Sequence, residues 1–197
     1  MRAYVRLLHM KKKADIKKEL VRYGKLLQLG GFAIGSGGNL SAKDAGYIFI
    51  KRQGADLSEA KTGDYLRISL KEAEKGPAGI SSETPLHLAS YAARPEAGAV
   101  IHVHSPAMVA AAEKTRLLKS NSYEFDCVMG GDVPVIPFIK PGTRALADAA
   151  ASKVKSGANA VLLARHGAVC IGRNTEEAYV RVLALERACL TFLYLSA

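Results

Sequence analysis

The segment Ala99-Val100-Ile101-His102-Val103-His104 constrains the fold most, because its two histidines alternate with apolar residues at the spacing of a β-strand. Successive side chains of a strand point to opposite faces, so we expect His102 and His104 side by side, with Val103 in the core. Two adjacent imidazoles can share a divalent ion, but a half-exposed strand with two surface histidines has the same pattern. The pair alone leaves both interpretations open, and further ligands must decide between them.

The composition predicts one globular domain that binds an anion. Of the 197 residues, 49% are hydrophobic and 23% are charged, which is ordinary for a chain with a full-sized core. The formal net charge of +10 favours nucleic acid, an acidic surface or a phosphorylated metabolite as partner. The lysines at 11–18 are interpreted as the solvated face of a helix, and no nucleic-acid-binding motif accompanies them. We therefore expect a small-molecule partner and no nucleic acid.

The cysteines and the apolar runs indicate the compartment. Cys127, Cys170 and Cys189 lie far apart and show neither a disulfide framework nor the spacing of a cysteine zinc site. There is no run of 18 apolar residues and no leader with a small-residue cleavage site. We expect a cytoplasmic protein with no membrane partner, in which residues 1–11 are an N-terminal extension and residues 12–197 form the domain.

Strands and helices are mixed along the chain without strict alternation. Hydrophobic spacing and turn residues predict helices at 12–29, 81–93, 106–113, 144–155 and from 174 onward, and strands at 47–50, 65–70, 99–104, 133–139, 160–164 and 168–171. Ser81-Ser82 is expected to cap the second helix, the prolines at 133–139 predict an edge or bulged strand, and 121–132 is expected to be irregular. This order predicts a three-layer α/β or α+β domain around a mostly antiparallel sheet.

His166 and Glu83 are the candidates for further metal ligands. His166 follows a buried-type strand and precedes Gly167, a position from which a side chain can reach a site. Three neutral imidazoles leave a zinc ion its positive charge and an open position for catalysis. Glu83 is either a first-turn charge, a fourth ligand or a base beside the metal, and His87 on the same helix face is expected to pack or to support the site.

Four segments together resemble the class II aldolase/adducin family. They are Gly37-Gly38-Asn39-Leu40-Ser41, Ser81-Ser82-Glu83-Thr84-Pro85-Leu86-His87, His102-Val103-His104-Ser105 and Arg165-His166-Gly167. Each segment is short, but their order and spacing match a whole domain over residues 15–195. The resemblance implies a class II aldolase-like α/β/α fold around an antiparallel sheet, and a homotetramer with active sites near subunit interfaces.

The resemblance also implies a role for each site residue. Zinc, or another divalent ion such as manganese or cobalt, is expected on His102, His104 and His166, with Glu83 as the acid/base near the metal or on it. Tyr123 falls where family aldolases carry a tyrosine that protonates the aldehyde oxygen. The residues expected to hold the phosphate are Gly38, Asn39, Ser81 and Ser82, together with Gln53 and Gly54. Gln53 stands where the aldolases commonly have threonine or serine, so Lys51 or Arg52 could supply charge instead.

The implied activity is the cleavage of a small ketose phosphate, such as L-fuculose 1-phosphate, by metal-dependent retro-aldol chemistry. The same machinery permits sugar-phosphate 4-epimerisation, dehydration or decarboxylation. An adducin-like interaction module without catalysis is a more distant alternative, because such a module is expected to lose the three histidines that this chain retains.

Overall fold

The computed structural model describes residues 2–70 and 77–196, with side chains from residue 16 onward. Within these residues the chain forms six α-helices: α1 (Arg2–Leu29), α2 (Thr84–Ala93), α3 (Pro106–Lys114), α4 (Tyr123–Met129), α5 (Arg144–Lys155) and α6 (Thr175–Leu195). The strands are β1 (Asn39–Asp44), β2 (Tyr47–Lys51), β3 (Tyr65–Ser69), β4 (Ala99–Val103), β5 (Leu117–Leu118), β6 (Val133–Ile136), β7 (Ala160–Leu163) and β8 (Gly167–Gly172).

The strands form one mixed sheet in the order β3-β2-β1-β4-β8-β7-β6-β5. Neighbouring strands are antiparallel except β6 and β7, which are parallel. β4 lies in the middle of the sheet, between β1 and β8. The predicted mostly antiparallel sheet is confirmed, and its centre carries the histidine strand.

Helices cover both faces of the sheet and bury two apolar cores. One core, with Leu40, Ile101 and Cys170 from the sheet, packs against α1, α3, α4 and α6. The other, with Ile50 and Val100, packs against α2 and α5. These are the three predicted layers. The alternation predicted for β4 is also found, since Val103 is fully buried in the first core, on the face opposite to His102.

Two elements differ from the sequence prediction. Strand β1 was not among the predicted strands, because Asn39, Ser41 and Asp44 are atypical of a strand that is buried along most of its length. The segment 121–132 was predicted to be irregular but contains α4. This helix begins after Ser122, whose Oγ accepts a hydrogen bond from the backbone N–H of Phe125 at 3.1 Å, and ends at Gly130 with φ of 69°.

Two local predictions about helix and strand ends were wrong. Neither Ser81 nor Ser82 caps α2; Glu83 occupies the N-cap position and makes no capping hydrogen bond with its side chain. Ser81 instead accepts the backbone N–H of Glu83 on its Oγ at 3.3 Å. Strand β6 ends at Ile136 and lies between β7 and the two-residue β5, so it is not itself the edge.

The predicted boundary between the N-terminal extension and the domain can be compared with helix α1. Helix α1 runs from Arg2 to Leu29, so the predicted boundary between residues 11 and 12 falls inside one helix, and the division stays a prediction.

The three cysteines are free thiols, with Cys127 exposed and Cys170 and Cys189 buried. Among residues 2–70 and 77–196, no helix is both long enough and apolar enough to cross a membrane.

Candidate metal centre and adjoining cleft

Three histidine side chains converge where β4 ends beside the turn between β7 and β8. The Nε2 atom of His102 lies 2.9 Å from Nε2 of His104 and 3.1 Å from Nε2 of His166. The possible ligand atoms of the three residues all lie within 4.8 Å of one another. The sequence prediction that His166 joins the His102–His104 pair is therefore realised in the fold.

The protonation of these imidazoles suits a cation. His102 is fully buried, and its Nδ1 lies 2.9 Å from the backbone oxygen of Ala168, so Nδ1–H donates and Nε2 carries the lone pair. Burial lowers the pKa of His102 and His104 below the ordinary value, and lowers that of His166 to about 4. At neutral pH three uncharged rings thus turn their Nε2 atoms toward one point. A backbone acceptor behind a ligating imidazole is common in metal sites, and this donor set fits a divalent ion such as zinc.

A close backbone approach at Gly167 brings His166 to the other two histidines. A Cβ atom added to Gly167 would lie 2.0 Å from the backbone oxygen of Val103 and 3.1 Å from the Cα atom of His104, and its φ is 152°. Only glycine permits this approach of the start of β8 to the end of β4. Arg165, just before His166, takes the left-handed conformation with φ of 59°, which completes the tight turn.

Replacing Gly167 with alanine is therefore expected to lower the free energy of unfolding by about 3 kcal/mol or more, since the backbone must move. Gly157→Ala is the matched control: its φ is 103°, but a Cβ atom there meets nothing within 4 Å, so we expect a loss of about 1 kcal/mol. Urea unfolding of the two variants measures the difference. Equal losses would show that the contact with Val103 does not require glycine.

A cleft of about 400 Å³ adjoins the histidines and gathers the other predicted site residues. His104 and His166 form part of its wall, while His102 lies buried behind them. All six predicted phosphate-binding residues line it, together with Glu83 and with residues that were not predicted. The lining residues are Ser36, Gly37, Gly38, Asn39, Lys51, Gln53, Gly54, Ser81, Ser82, Glu83, His104, Pro141 and His166.

Glu83 is a buried carboxyl group in this cleft. Its side chain is 7% exposed, and burial raises its pKa although a backbone hydrogen bond from Gly142 acts in the opposite direction. Glu83 is not among the residues whose ligand atoms cluster within 4.8 Å, so the geometry favours the acid/base role over the ligand role. A carboxyl group with a raised pKa can exchange protons with a substrate more readily at neutral pH.

Lys51 places a buried positive charge in the cleft, whereas Arg52 does not. The Lys51 side chain is 2% exposed, and its Nζ donates to the backbone oxygens of Ser36 and Ala55, each at 2.7 Å. Burial lowers its pKa to about 8, so the ammonium form still dominates at pH 7. Arg52 pairs with Asp64 at 3.0 Å and is absent from the cleft wall. Of the two cations considered from the sequence, Lys51 lies in the cleft wall and Arg52 does not.

Tyr123 does not reach this cleft within a single chain. It is the first residue of α4, its side chain is 85% exposed, and it is not part of the cleft wall. Its predicted role thus requires a second copy of the chain. Pro141 and Gly142, in contrast, lie next to Glu83 without having been predicted, because a Pro-Gly turn is a common loop signal that indicates no chemistry.

Comparison with known proteins identifies the family to which this fold and site belong. The family described as "Class II Aldolase and Adducin N-terminal domain" matches residues 18–193. The chain is 33% identical over 166 residues to the 5-deoxy-D-ribulose 1-phosphate aldolase of Bacillus thuringiensis serovar kurstaki, covering 83% of this chain and 77% of that protein. It is 28% identical to the 3-oxo-tetronate 4-phosphate decarboxylase of Haemophilus influenzae, covering 89% and 86%.

A solved structure agrees with these relatives. The L-fuculose-1-phosphate aldolase of Thermus thermophilus superposes with a TM-score of 0.85 at 25% identity, over 92% of this chain and 94% of that one. The protein belongs to the class II aldolase and adducin N-terminal domain family, as the four segments predicted. The expectation of an enzyme of the class II aldolase type is likewise confirmed, since the relatives named above are carbon–carbon lyases.

Proposed function

We propose that the protein is a zinc-dependent aldolase that cleaves a small ketose 1-phosphate, such as L-fuculose 1-phosphate, into dihydroxyacetone phosphate and an aldehyde. The observation that carries the proposal is the convergence of three neutral Nε2 atoms at a cleft that also contains a buried carboxyl group and a buried ammonium group. The names of two relatives, which act on ketose 1-phosphates, support it.

The charges of the site suit this reaction. A divalent ion on His102, His104 and His166 would stabilise the negative charge that develops on the substrate oxygens when the carbon–carbon bond breaks. Lys51 and the amide groups at Gly38 and Asn39 provide the positive charge and the donors that a phosphate needs. The phosphate would contact these groups, and the reacting carbons would lie next to the ion.

Glu83 and Tyr123 handle the two protons. In the condensation direction, Glu83 takes a proton from the carbon of dihydroxyacetone phosphate that forms the new bond, and the Tyr123 hydroxyl donates a proton to the aldehyde oxygen. In the cleavage direction both transfers run backwards, and Glu83 returns its proton to the same carbon. The buried setting of Glu83, which raises its pKa, favours the protonated form needed at the end of cleavage.

Tyr123 can act only from a neighbouring copy, so we also propose a homotetramer with shared active sites. Support comes from large exposed apolar side chains that an assembly would cover, namely Ile34, Tyr123, Tyr194 and Leu195, each at least 78% exposed. Cross-chain complementation tests this: mixing His102→Ala chains with Tyr123→Phe chains is expected to restore activity that neither variant has alone. Failure of fully mixed oligomers to regain any activity would contradict shared sites.

A cytoplasmic location is supported by the three free thiols.

Replacing Lys51 with methionine is expected to raise KM for the phosphorylated substrate about tenfold, because a charge-assisted hydrogen bond is worth roughly 1.5–3 kcal/mol. kcat should change less, since Lys51 contacts the end of the substrate that does not react. Arg52→Met is the matched control: Arg52 is paired with Asp64 outside the cleft, so its KM should stay near the wild-type value. A KM unchanged in Lys51→Met would remove this residue from the phosphate site.

One relative makes decarboxylation the second candidate function. The matching decarboxylase acts on a 4-phosphate with a carbonyl group near the bond that breaks, so the same charge stabilisation serves both reactions. Both reactions release dihydroxyacetone phosphate, so they are separated by the release of carbon dioxide and by the substrate that reacts. The zinc-loaded protein is incubated with L-fuculose 1-phosphate, 5-deoxy-D-ribulose 1-phosphate and 3-oxo-tetronate 4-phosphate, while dihydroxyacetone phosphate and carbon dioxide are measured. We expect dihydroxyacetone phosphate from a ketose 1-phosphate; carbon dioxide from the third compound alone would identify a decarboxylase.

A further inference from the structure

Four polar side chains lie buried together at and behind the part of the cleft wall that Asn39 forms. Asn39 and Ser41 point to one face of β1, and His87 and Tyr91, one turn apart on α2, cover them from above. Their exposed fractions are 4%, 0%, 0% and 3%. Apolar side chains at these positions would pack equally well, so four buried polar groups in contact call for an explanation.

These groups form one continuous chain of hydrogen bonds. The Tyr91 hydroxyl lies 2.9 Å from Oγ of Ser41, and this Oγ lies 2.7 Å from Nδ1 of His87. On the other side of the ring, Nε2 of His87 contacts Oδ1 of Asn39. The last member, Asn39, is also the one that lines the cleft. This hydrogen-bond chain therefore links Tyr91, on the buried face of α2, to Asn39 in the cleft wall.

The direction of this hydrogen-bond chain follows from its Asn39 end, because an amide oxygen accepts hydrogen bonds and cannot donate them. At the other end, the Tyr91 hydroxyl donates to the backbone oxygen of Ser41 at 3.1 Å and also lies 2.9 Å from its Oγ. Ser41 then donates to Nδ1 of His87, and Nε2–H of His87 donates to the Asn39 oxygen. Burial lowers the pKa of His87 to about 3, so the ring is neutral and holds a single N–H. The hydroxyl groups of Tyr91 and Ser41 and the N–H group of His87 each meet an acceptor in this arrangement.

This direction decides what Asn39 presents to the cleft. With Oδ1 held by His87, the amide cannot rotate by half a turn, and its NH₂ group is the end left for a ligand. An amide that turned its oxygen to the cleft would repel a phosphate rather than bind it. Fixing the amide in advance also removes an entropic cost from binding.

We propose that Tyr91, Ser41 and His87 are positioning residues that hold the Asn39 amide with its NH₂ group toward the cleft, which makes Asn39 a dedicated donor to an oxyanion. The inference rests on the proposed function, since it specifies how one end of the cleft selects a phosphate. It assigns His87 a role in ligand binding without contact to ligand or metal. From the sequence, His87 was expected to pack or to support the site, without a stated partner, and no positioning role was assigned to Ser41 or Tyr91.

The test compares two substitutions of His87 by the binding of inorganic phosphate to the zinc-loaded protein, measured by isothermal titration calorimetry. His87→Gln keeps an amide N–H close to the place of Nε2 and is expected to bind phosphate within about threefold of wild type. His87→Leu removes the donor, frees the amide and is expected to weaken binding about tenfold. With a turnover substrate the same change should appear in KM more than in kcat.

Ser90→Ala is the matched control for damage to α2. Its Oγ donates to the backbone oxygen of Leu86 within the same helix and takes no part in the chain. Its phosphate affinity and zinc content should equal those of wild type. Equal phosphate affinities in His87→Leu and wild type would overturn the inference while leaving the proposed function standing. Wild-type protein that binds no phosphate would overturn both.

A second measurement needs no substitution. The ring of His87 must carry its proton on Nε2, which long-range ¹H–¹⁵N correlation spectra of the zinc-loaded wild-type protein report directly. A proton on Nδ1 would reverse the chain, turn the Asn39 oxygen toward the cleft and overturn the inference even if both His87 variants failed to fold.

Discussion

His102→Ala is expected to lose the bound metal and at least a thousandfold in turnover, the largest effect of any single change in this protein. His102 is the fully buried member of the three, its Nε2 atom lies within 3.1 Å of both other Nε2 atoms, and its Nδ1 is fixed by the backbone of Ala168. Its removal leaves two partly buried histidines, and two ligands bind the ion too weakly to keep the site occupied. Zinc per chain, measured by plasma mass spectrometry after dialysis, checks the loss.

The control for this variant is Cys127→Ser, because Cys127 is the exposed thiol and the natural place for adventitious zinc. It should keep one zinc per chain and full turnover. Thermal unfolding of the metal-free proteins separates loss of metal from loss of fold. Full zinc occupancy in His102→Ala would refute the ligand assignment.

Glu83→Gln is expected to keep the metal and lose about a thousandfold in turnover, in line with the contribution of a positioned acid/base. Glutamine has nearly the same shape and can still accept the hydrogen bond from Gly142, but it cannot exchange a proton. KM should change little, since the carboxyl group acts on the reacting carbon. Steady-state kinetics together with zinc analysis of the same sample provide the measurement.

A second, partly buried carboxyl group offers a matched control for Glu83. Glu186 on α6 also has a pKa raised by burial and accepts a hydrogen bond from Ser105, but it does not line the cleft. Glu186→Gln keeps this acceptor and should retain turnover within a few-fold of wild type. Equal losses in the two variants would indicate a structural effect of burying an amide, and unchanged turnover in Glu83→Gln would remove Glu83 from the mechanism.

The histidine strand could be predicted because its information is local. Alternation of His102 and His104 with valine and isoleucine has the period of a strand, but a half-exposed strand has the same pattern, so the central position of β4 in the sheet could not be predicted. His166 could be added because a turn with glycine after a buried-type strand is also a local pattern. Their mutual distance could not be predicted, since it depends on the contact between Gly167 and the end of β4.

The burial of strand β1 could not be predicted from the sequence, because it depends on contacts between distant elements. β1 is buried although it contains Asn39 and Ser41, and these residues are satisfied only by His87 and Tyr91 from α2, almost 50 positions away. No pattern within β1 indicates those partners. Helix α4 is different: Ser122 at its start and Gly130 at its end are ordinary cap signals, and they could have identified the helix despite its seven residues.

The site residues Lys51 and Tyr123 also depend on contacts that no local sequence pattern indicates. Lys51 was one of two possible cations, and only the fold shows that Arg52 is held by Asp64 while Lys51 turns into the cleft. Tyr123 was placed by family resemblance, and its exposed position on α4 means that a single chain lacks the geometry for its predicted role.

Titrating zinc into the metal-free protein in the presence of L-fuculose 1-phosphate or 5-deoxy-D-ribulose 1-phosphate tests whether the three histidines hold the ion on which carbon–carbon cleavage depends. Release of dihydroxyacetone phosphate is followed with a coupled assay at each addition. We expect the rate to rise in proportion to bound zinc and to stop rising at one ion per chain. A full rate in the metal-free protein, or saturation of the site with no product from either sugar phosphate, would contradict this expectation.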